Sequence, residues 1–303
     1  EGCGASYEVI VVDNNSTDST REVVESLINK GHSNLHYVFE PKQGVSYARN
    51  SGIQRARAPI IAFADDDVVV ARDWIEVIKR EFDAYPNVAC LGGKVLPEWK
   101  GEPPAWLTRD HWSPLALQDY GDEPFYVNAE NPLCLVSANL AFRREVFSCI
   151  GPFAPELQRV KDGIGSMEDL ELLIRYWRAG GESLYLPSLV VTTEVPVART
   201  TRKYHRRWHR GHGRFYALMR SAYFERSSKR ALFGVPAHLY RQSIIDAANW
   251  AGHSMLGRRD RAFFYETRLC FFKGFFKTRK KDYLSTRKHG TVREVAEFVY
   301  SMW

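Results

Sequence analysis

Between residues 7 and 95, short apolar runs alternate with longer amphipathic ones. That alternation restricts the chain to a sheet covered by helices. Glu8-Val9-Ile10-Val11-Val12 reads as a buried strand. Thr20–Asn29 reads as a helix, with Val23, Val24, Leu27 and Ile28 at helical spacing. The same reading gives strands over Leu35–Phe39, Ile60–Phe63 and residues 88–95, and helices over residues 45–57 and 74–85. Strand-helix alternation predicts an α/β class: a Rossmann-like, mostly parallel sheet with helices on both faces and right-handed crossovers.

In open α/β sheets, ligands bind at the carboxyl ends of the strands, and here each such end carries polar chemistry. Asp13 follows Val12 directly and leads into Asn14-Asn15-Ser16-Thr17-Asp18, side chains that cap helices or bind anions and hydroxyls. Asp13 stands where a nucleobase or ribose lies in a nucleotide-binding sheet. The third strand runs into Asp65-Asp66-Asp67. Asp65 and Asp67, two apart in extended chain, point the same way and can share one hard cation, which can in turn hold a diphosphate. The structural alternative is an acidic loop with Asp67 as a helix N-cap. Gly44 permits a turn before the second helix, from which Arg49 projects, either toward an anion or into solvent.

At 303 residues the chain makes one large or two modest domains, and its 45% hydrophobic content supports a sizeable core. No stretch approaches the roughly 18 apolar residues that span a bilayer. Cys3, Cys90, Cys134, Cys149 and Cys270 have no paired spacing, which argues against a zinc site or disulfide framework and for reduced thiols in a cytoplasmic protein. Charge is divided unevenly. From Thr201 onward, 23 Lys and Arg face 7 Asp and Glu, a balance of +16; the preceding part carries 19 against 29, a balance of −10. An acidic front and a basic back predict two functional parts.

Three segments now align with a known pattern. Val11-Val12-Asp13-Asn14-Asn15-Ser16-Thr17-Asp18, then Gly44-Val45-Ser46-Tyr47-Ala48-Arg49-Asn50-Ser51-Gly52, then Phe63-Ala64-Asp65-Asp66-Asp67 resemble the family 2 glycosyltransferases. The resemblance covers roughly residues 7–210. It implies the GT-A fold over residues 1–200, with a nucleotide-sugar half (1–96) and an acceptor half (97–200), followed by a helical basic region (201–303). It implies a nucleoside-diphosphate sugar donor held by Asp13, Asn15, Arg49, Asp65 and Asp66. Asp65-x-Asp67 becomes the DxD motif, with Mg²⁺ or Mn²⁺ on Asp67 and Asp65. Asn131 to Arg144, including Asn139, resembles the acceptor-side segment.

Glu168-Asp169 resembles the family's Glu-Asp motif, with Asp169 as general base for inverting transfer to a glycan or lipid-linked acceptor. Acidic residues in a first helical turn also suit the helix dipole, which is the structural alternative. Relatives place a metal-site His after the following strand; this chain has Thr193-Glu194 there, and either Glu194, an oxygen donor suited to Mg²⁺ or Mn²⁺, replaces it or the ligand is lost. Tyr204-x-x-Arg207-Trp208 resembles a loose Gln-x-x-Arg-Trp motif, with Arg207 for a phosphate and Trp208 for a sugar face. Family members also open with a strand and helix ahead of the one at Val9, so an N-terminal piece is expected to be missing. The rival from another class is a non-catalytic remnant that serves in binding or assembly.

Two segments carry open readings. Residues 96–130 are rich in Pro and Trp and either bind the acceptor or pack as an irregular loop. Residues 262–281 interleave Phe with Lys and Arg and form either a basic amphipathic surface for the inner face of an anionic membrane or a helical cap with a solvated basic face. With no nucleic-acid motif, nucleic acid is not expected as a partner.

Overall fold

The computed structural model describes residues 6–157, 167–220 and 231–289. The chain divides into two compact units, Glu1–Thr201 and Arg202–Trp303.

The first unit opens with the alternation that the sequence predicts. Val9–Asp13 (β1) and Leu35–Phe39 (β2) pair in parallel around Thr20–Asn29 (α1). Val45–Arg55 (α2) leads to Ile60–Phe63 (β3), the short Val68–Val70 (β4), Trp74–Ala84 (α3) and Cys90–Trp99 (β5). Phe125–Val127 (β6), Leu140–Arg143 (β7), Val146–Ile150 (α4), Glu168–Arg178 (α5) and Ser183–Val195 (β8) complete it.

The sheet itself corrects the parallel expectation. The larger sheet runs β3-β7-β5-β8-β4 with β6 also on β8, and of its ladders only β5–β8 is parallel. The cause is β7. It enters between β3 and β5 running opposite to both, and the long segment after β5 brings it there without a helical crossover. Beneath this sheet lies a core of fully buried Leu140, Phe142, Leu172, Leu173 and Tyr185, each worth about 1.5–3 kcal/mol of apolar burial. Gly93 marks the tightest crossing: a Cβ there would lie 1.9 Å from the Leu189 carbonyl oxygen, beside the register shift between Gly93 and Lys94.

The Pro- and Trp-rich segment packs. Leu107, Leu115 and Leu117 are buried, and Gln118 pins the segment by donating to the Gly93 carbonyl at 2.7 Å and accepting from the Val136 N–H at 3.1 Å.

In the second unit, Arg202–Met219 (α6), Ala237–Met255 (α7) and Arg259–His289 (α8) pack together. Two glycines set the α6–α8 approach: a Cβ on Gly213 or Gly274 would lie 2.0 Å from a backbone oxygen of the other helix. The aromatic residues predicted to face a membrane are largely spent here. Phe263, Phe272 and Phe275 are buried, the last two with Ala217, Val235 and Leu239. Among the described residues no helix is long and apolar enough to cross a membrane.

Candidate functional site

Arg49 is the hub of the first unit's polar interior. It rises from the second turn of α2, whose N-cap Gly44 has φ +141°, backbone that suits glycine. Its guanidinium lies over the Phe153 ring at 5.4 Å and reaches three carboxylates from separate segments. Asp65, just past β3, accepts at 3.0 Å; Glu168 and Asp169, in the first turn of α5, accept at 3.3 and 3.1 Å. Desolvation of the guanidinium opposes its charge, but the carboxylates of Asp169, Asp65 and Glu168 outweigh it and hold Arg49 protonated. Three carboxylates on one guanidinium leave the cluster net negative. The other oxygen of Asp169 accepts the Ser137 backbone N–H at 3.2 Å, so both of its oxygens are oriented. Asn50 braces the base of the cluster by exchanging two 2.9 Å hydrogen bonds with the Phe153 backbone.

Asp13, at the end of β1, is buried. It accepts from the Tyr37 hydroxyl at 2.6 Å and the Ser16 N–H at 2.8 Å, and these bonds, Tyr37's first, hold its carboxyl below the ordinary range. Asn15 is exposed and left-handed, φ 59°. Its neighbour Asn14 ties two loops together, donating to the Lys42 carbonyl at 2.7 Å and accepting from the Gly44 N–H at 2.6 Å. Asp66 is exposed, and the Asp67 carboxyl is pushed up by desolvation and by the charges of Asp65 and Asp66. Crowded carboxylates of this kind gain from a hard cation. Among the described residues, no three His, Cys, Asp or Glu side chains converge as a ready-made metal cage.

The remaining expected site residues have partners of their own. Asn139 is a structural pin in the core: it accepts from Trp74 Nε1 at 2.8 Å and donates to the Lys94 and Leu189 carbonyls at 2.8 and 2.9 Å. Its amide is thereby engaged by three partners in the core. Glu194 is on β8 with its carboxylate 2.9 Å from Lys100; Thr193 instead reaches the acidic motif, donating to the Asp67 carbonyl at 3.2 Å. Strand alternation puts the two side chains on opposite faces, so Glu194 is not joined to Asp67. Arg207 and Trp208 sit on α6 in the second unit, Trp208 stacked on His212 at 4.3 Å. Sequence reasoning missed Tyr37, Ser137 and Phe153. Tyr37 was visible only as one aromatic in an apolar strand, and the other two act through backbone or ring face.

This arrangement, a strand-end acidic triplet joined through one arginine to a helix-start Glu-Asp pair, meets a sequence profile. Residues 3–151 match the description Glycosyl transferase family 2.

Residues 3–151 belong to glycosyl transferase family 2.

Among family relatives, the glucosyl-dolichyl phosphate glucuronosyltransferase of Haloferax volcanii is 25% identical over 174 residues, 57% of this chain and 54% of that protein. Glycosyltransferase AglE of the same organism is 40% identical over 154 residues, 50% of this chain and 47% of its own. The succinoglycan biosynthesis protein ExoM of Rhizobium meliloti is 28% identical over 221 residues, 70% and 66% of the two chains. The chain thus spans about half the length of the first two relatives. In fold it is similar to the mannosyltransferase PcManGT of Pyrobaculum calidifontis, solved with GDP-Man and Mn²⁺. The TM-score is 0.50 at 17% identity, over 97% of this chain and 70% of that one. The α/β fold is of the GT-A type.

Proposed function

We propose that this protein transfers a sugar from a nucleoside-diphosphate sugar to a hydroxyl of a glycan or lipid-linked acceptor, by single displacement with inversion. The observation that carries this reading is Arg49, which holds Asp65 of the acidic motif and the Glu168-Asp169 pair on one guanidinium. Asp13, with its carboxyl kept ionised by Tyr37 and Ser16, is an acceptor suited to a base or ribose donor group. Asp65 and Asp67 would hold Mg²⁺ or Mn²⁺, with diphosphate oxygens and water filling the rest of the shell. Such a cation, when bound, neutralises the charge of the departing diphosphate. Asp169 keeps a spare lone pair on each oriented oxygen and takes the proton of the attacking hydroxyl as the C1 bond forms. Arg49 and Ser137 fix its direction. That one relative is named a glucosyl-dolichyl phosphate glucuronosyltransferase supports a lipid-linked acceptor.

Calorimetric titration of UDP and GDP, with and without Mn²⁺, into wild type and Asp67→Ala tests the donor half of the reading. Manganese-dependent binding of one nucleotide, lost in the variant, is expected. Binding of neither by the wild type would favour a non-catalytic role for the fold.

A further inference from the structure

Helix α7 meets α8 with apolar side chains near its start, where Leu239 is buried with Phe272 and Phe275 and Tyr240 packs on Phe276, and with polar ones further along. There Asp246 is buried, accepts from Gln242 at 3.0 Å and pairs with Arg268 of α8 at 2.7 Å, while His253 stacks on Tyr265 at 5.5 Å. Its opposite side is apolar and open. Ile244 is 69% and Met255 87% exposed; Ala248 lies on the same stripe, and Leu256, just beyond the helix, is 67% exposed. Spacings of four and seven put Ile244, Ala248 and Met255 on one face. An ordinary surface helix turns polar side chains toward water, which this stripe does not. A helix that keeps a hydrogen-bonded ion pair inside and bare aliphatic side chains outside is matched to an apolar medium on that side.

The charges around the stripe identify the medium. The helix runs into Met255-Leu256-Gly257-Arg258-Arg259-Asp260-Arg261, a turn that pairs two exposed apolar side chains with three exposed arginines. Gly257, at φ +67°, makes the reversal into α8. Arg241 lies at the margin of the stripe itself, exposed, one turn before Ile244. Arginines can extend their heads to phosphates while their stems follow the apolar side chains inward. The second unit as a whole carries +16, which favours a negatively charged partner.

We propose that α7 and the turn after it dock this protein on an anionic lipid bilayer. Ile244, Met255 and Leu256 enter the acyl boundary, and Arg241, Arg258, Arg259 and Arg261 meet the headgroup phosphates. At 19 residues with polar groups along one side, α7 lies in the plane of the interface. The surface differs from the one expected from residues 262–281, whose phenylalanines Phe263, Phe272 and Phe275 are buried. The proposal stands on the second unit alone and is independent of the sugar-transfer reading.

Flotation of the full chain tests it, using vesicles of equal parts phosphatidylcholine and phosphatidylglycerol, with pure phosphatidylcholine vesicles in parallel. Wild type is expected to float with the anionic vesicles at low ionic strength and to bind the neutral ones far less. Ile244→Glu/Met255→Glu is expected to weaken partitioning by about tenfold or more, since each change withdraws an apolar side chain from the acyl boundary. Arg258→Glu/Arg259→Glu is expected to remove most of the salt dependence. Both changes are on the surface, and unaltered circular dichroism and thermal unfolding would establish that the variants fold. Wild type that stays soluble with anionic vesicles overturns the proposal, as does equal binding by the folded apolar-to-Glu variant. Light scattering that finds a lipid-free dimer, converted to monomer by Met255→Glu, also overturns it by assigning the stripe to a second copy.

Discussion

Replacing Arg49 with Met removes one charge and leaves three carboxylates facing one another. The cost can be worked from their surroundings. The Glu168 and Asp169 side chains are only 6% and 15% exposed, whereas Asp65 is 39% exposed. The half-open Asp65 contact contributes at most about 1 kcal/mol. The buried contacts decide the matter, because a buried charge deprived of its partner costs about 3–5 kcal/mol. Arg49→Met is therefore expected to lose about 3–5 kcal/mol, roughly 6–20 °C in midpoint for a unit of this size, despite the good helix propensity of Met. Urea unfolding followed by tryptophan fluorescence measures it. Arg49→Met/Glu168→Gln, which also removes the most buried carboxylate charge, is expected to recover at least about 1 kcal/mol of that loss through their coupling. A loss below about 1 kcal/mol in the single variant, or no recovery in the double, would refute the hub reasoning.

Asp169→Asn is expected to lower turnover by about 10²–10⁴-fold with nucleotide affinity intact, read by glycosyl transfer beside calorimetry; normal turnover removes Asp169 from the mechanism. Tyr37→Phe should raise the Asp13 carboxyl toward its ordinary value of 3.8, as followed by NMR titration. Because the native carboxyl is depressed, its stabilisation is complete above that ordinary value and is lost as pH falls through the lower folded one, so the variant should show a smaller acid-dependent loss over that window. Asn139→Ala leaves Trp74 Nε1 and two buried carbonyls without their partner, and a destabilisation of about 3 kcal/mol in urea unfolding is expected.

Local elements were largely legible in the sequence. Thr20–Asn29, Leu35–Phe39 and Ile60–Phe63 stand where periodicity placed them, because apolar spacing reports which face of an element is buried. Strand direction is a different quantity. Nothing in Leu140–Arg143 says that it enters the sheet reversed, since the same alternation serves either direction. At the site, the acidic residues were conspicuous, but their assembly on Arg49 depends on contacts across more than a hundred residues of chain. The core partners of Asn139 were not legible, because an amide's hydrogen bonds are set by its surroundings, here three groups in the core. The phenylalanines of α8 misled for a related reason: a long run of aromatic and basic residues does not reveal which of its faces a neighbouring helix covers.

The span of the Arg49 contacts also orders the assembly of the protein. Asp65 is 16 residues from Arg49, whereas Glu168 and Asp169 are 119 and 120 away. The first partner is within reach of a short closure; the other two arrive only after β5, β7 and the start of α5 have come into place, a slower event because distant segments must first meet. A folding chain thus holds its arginine beside one carboxylate early and acquires the full set late. The site matures as the last long loop closes, so the ion cluster reports completion of the fold as well as serving what the fold contains.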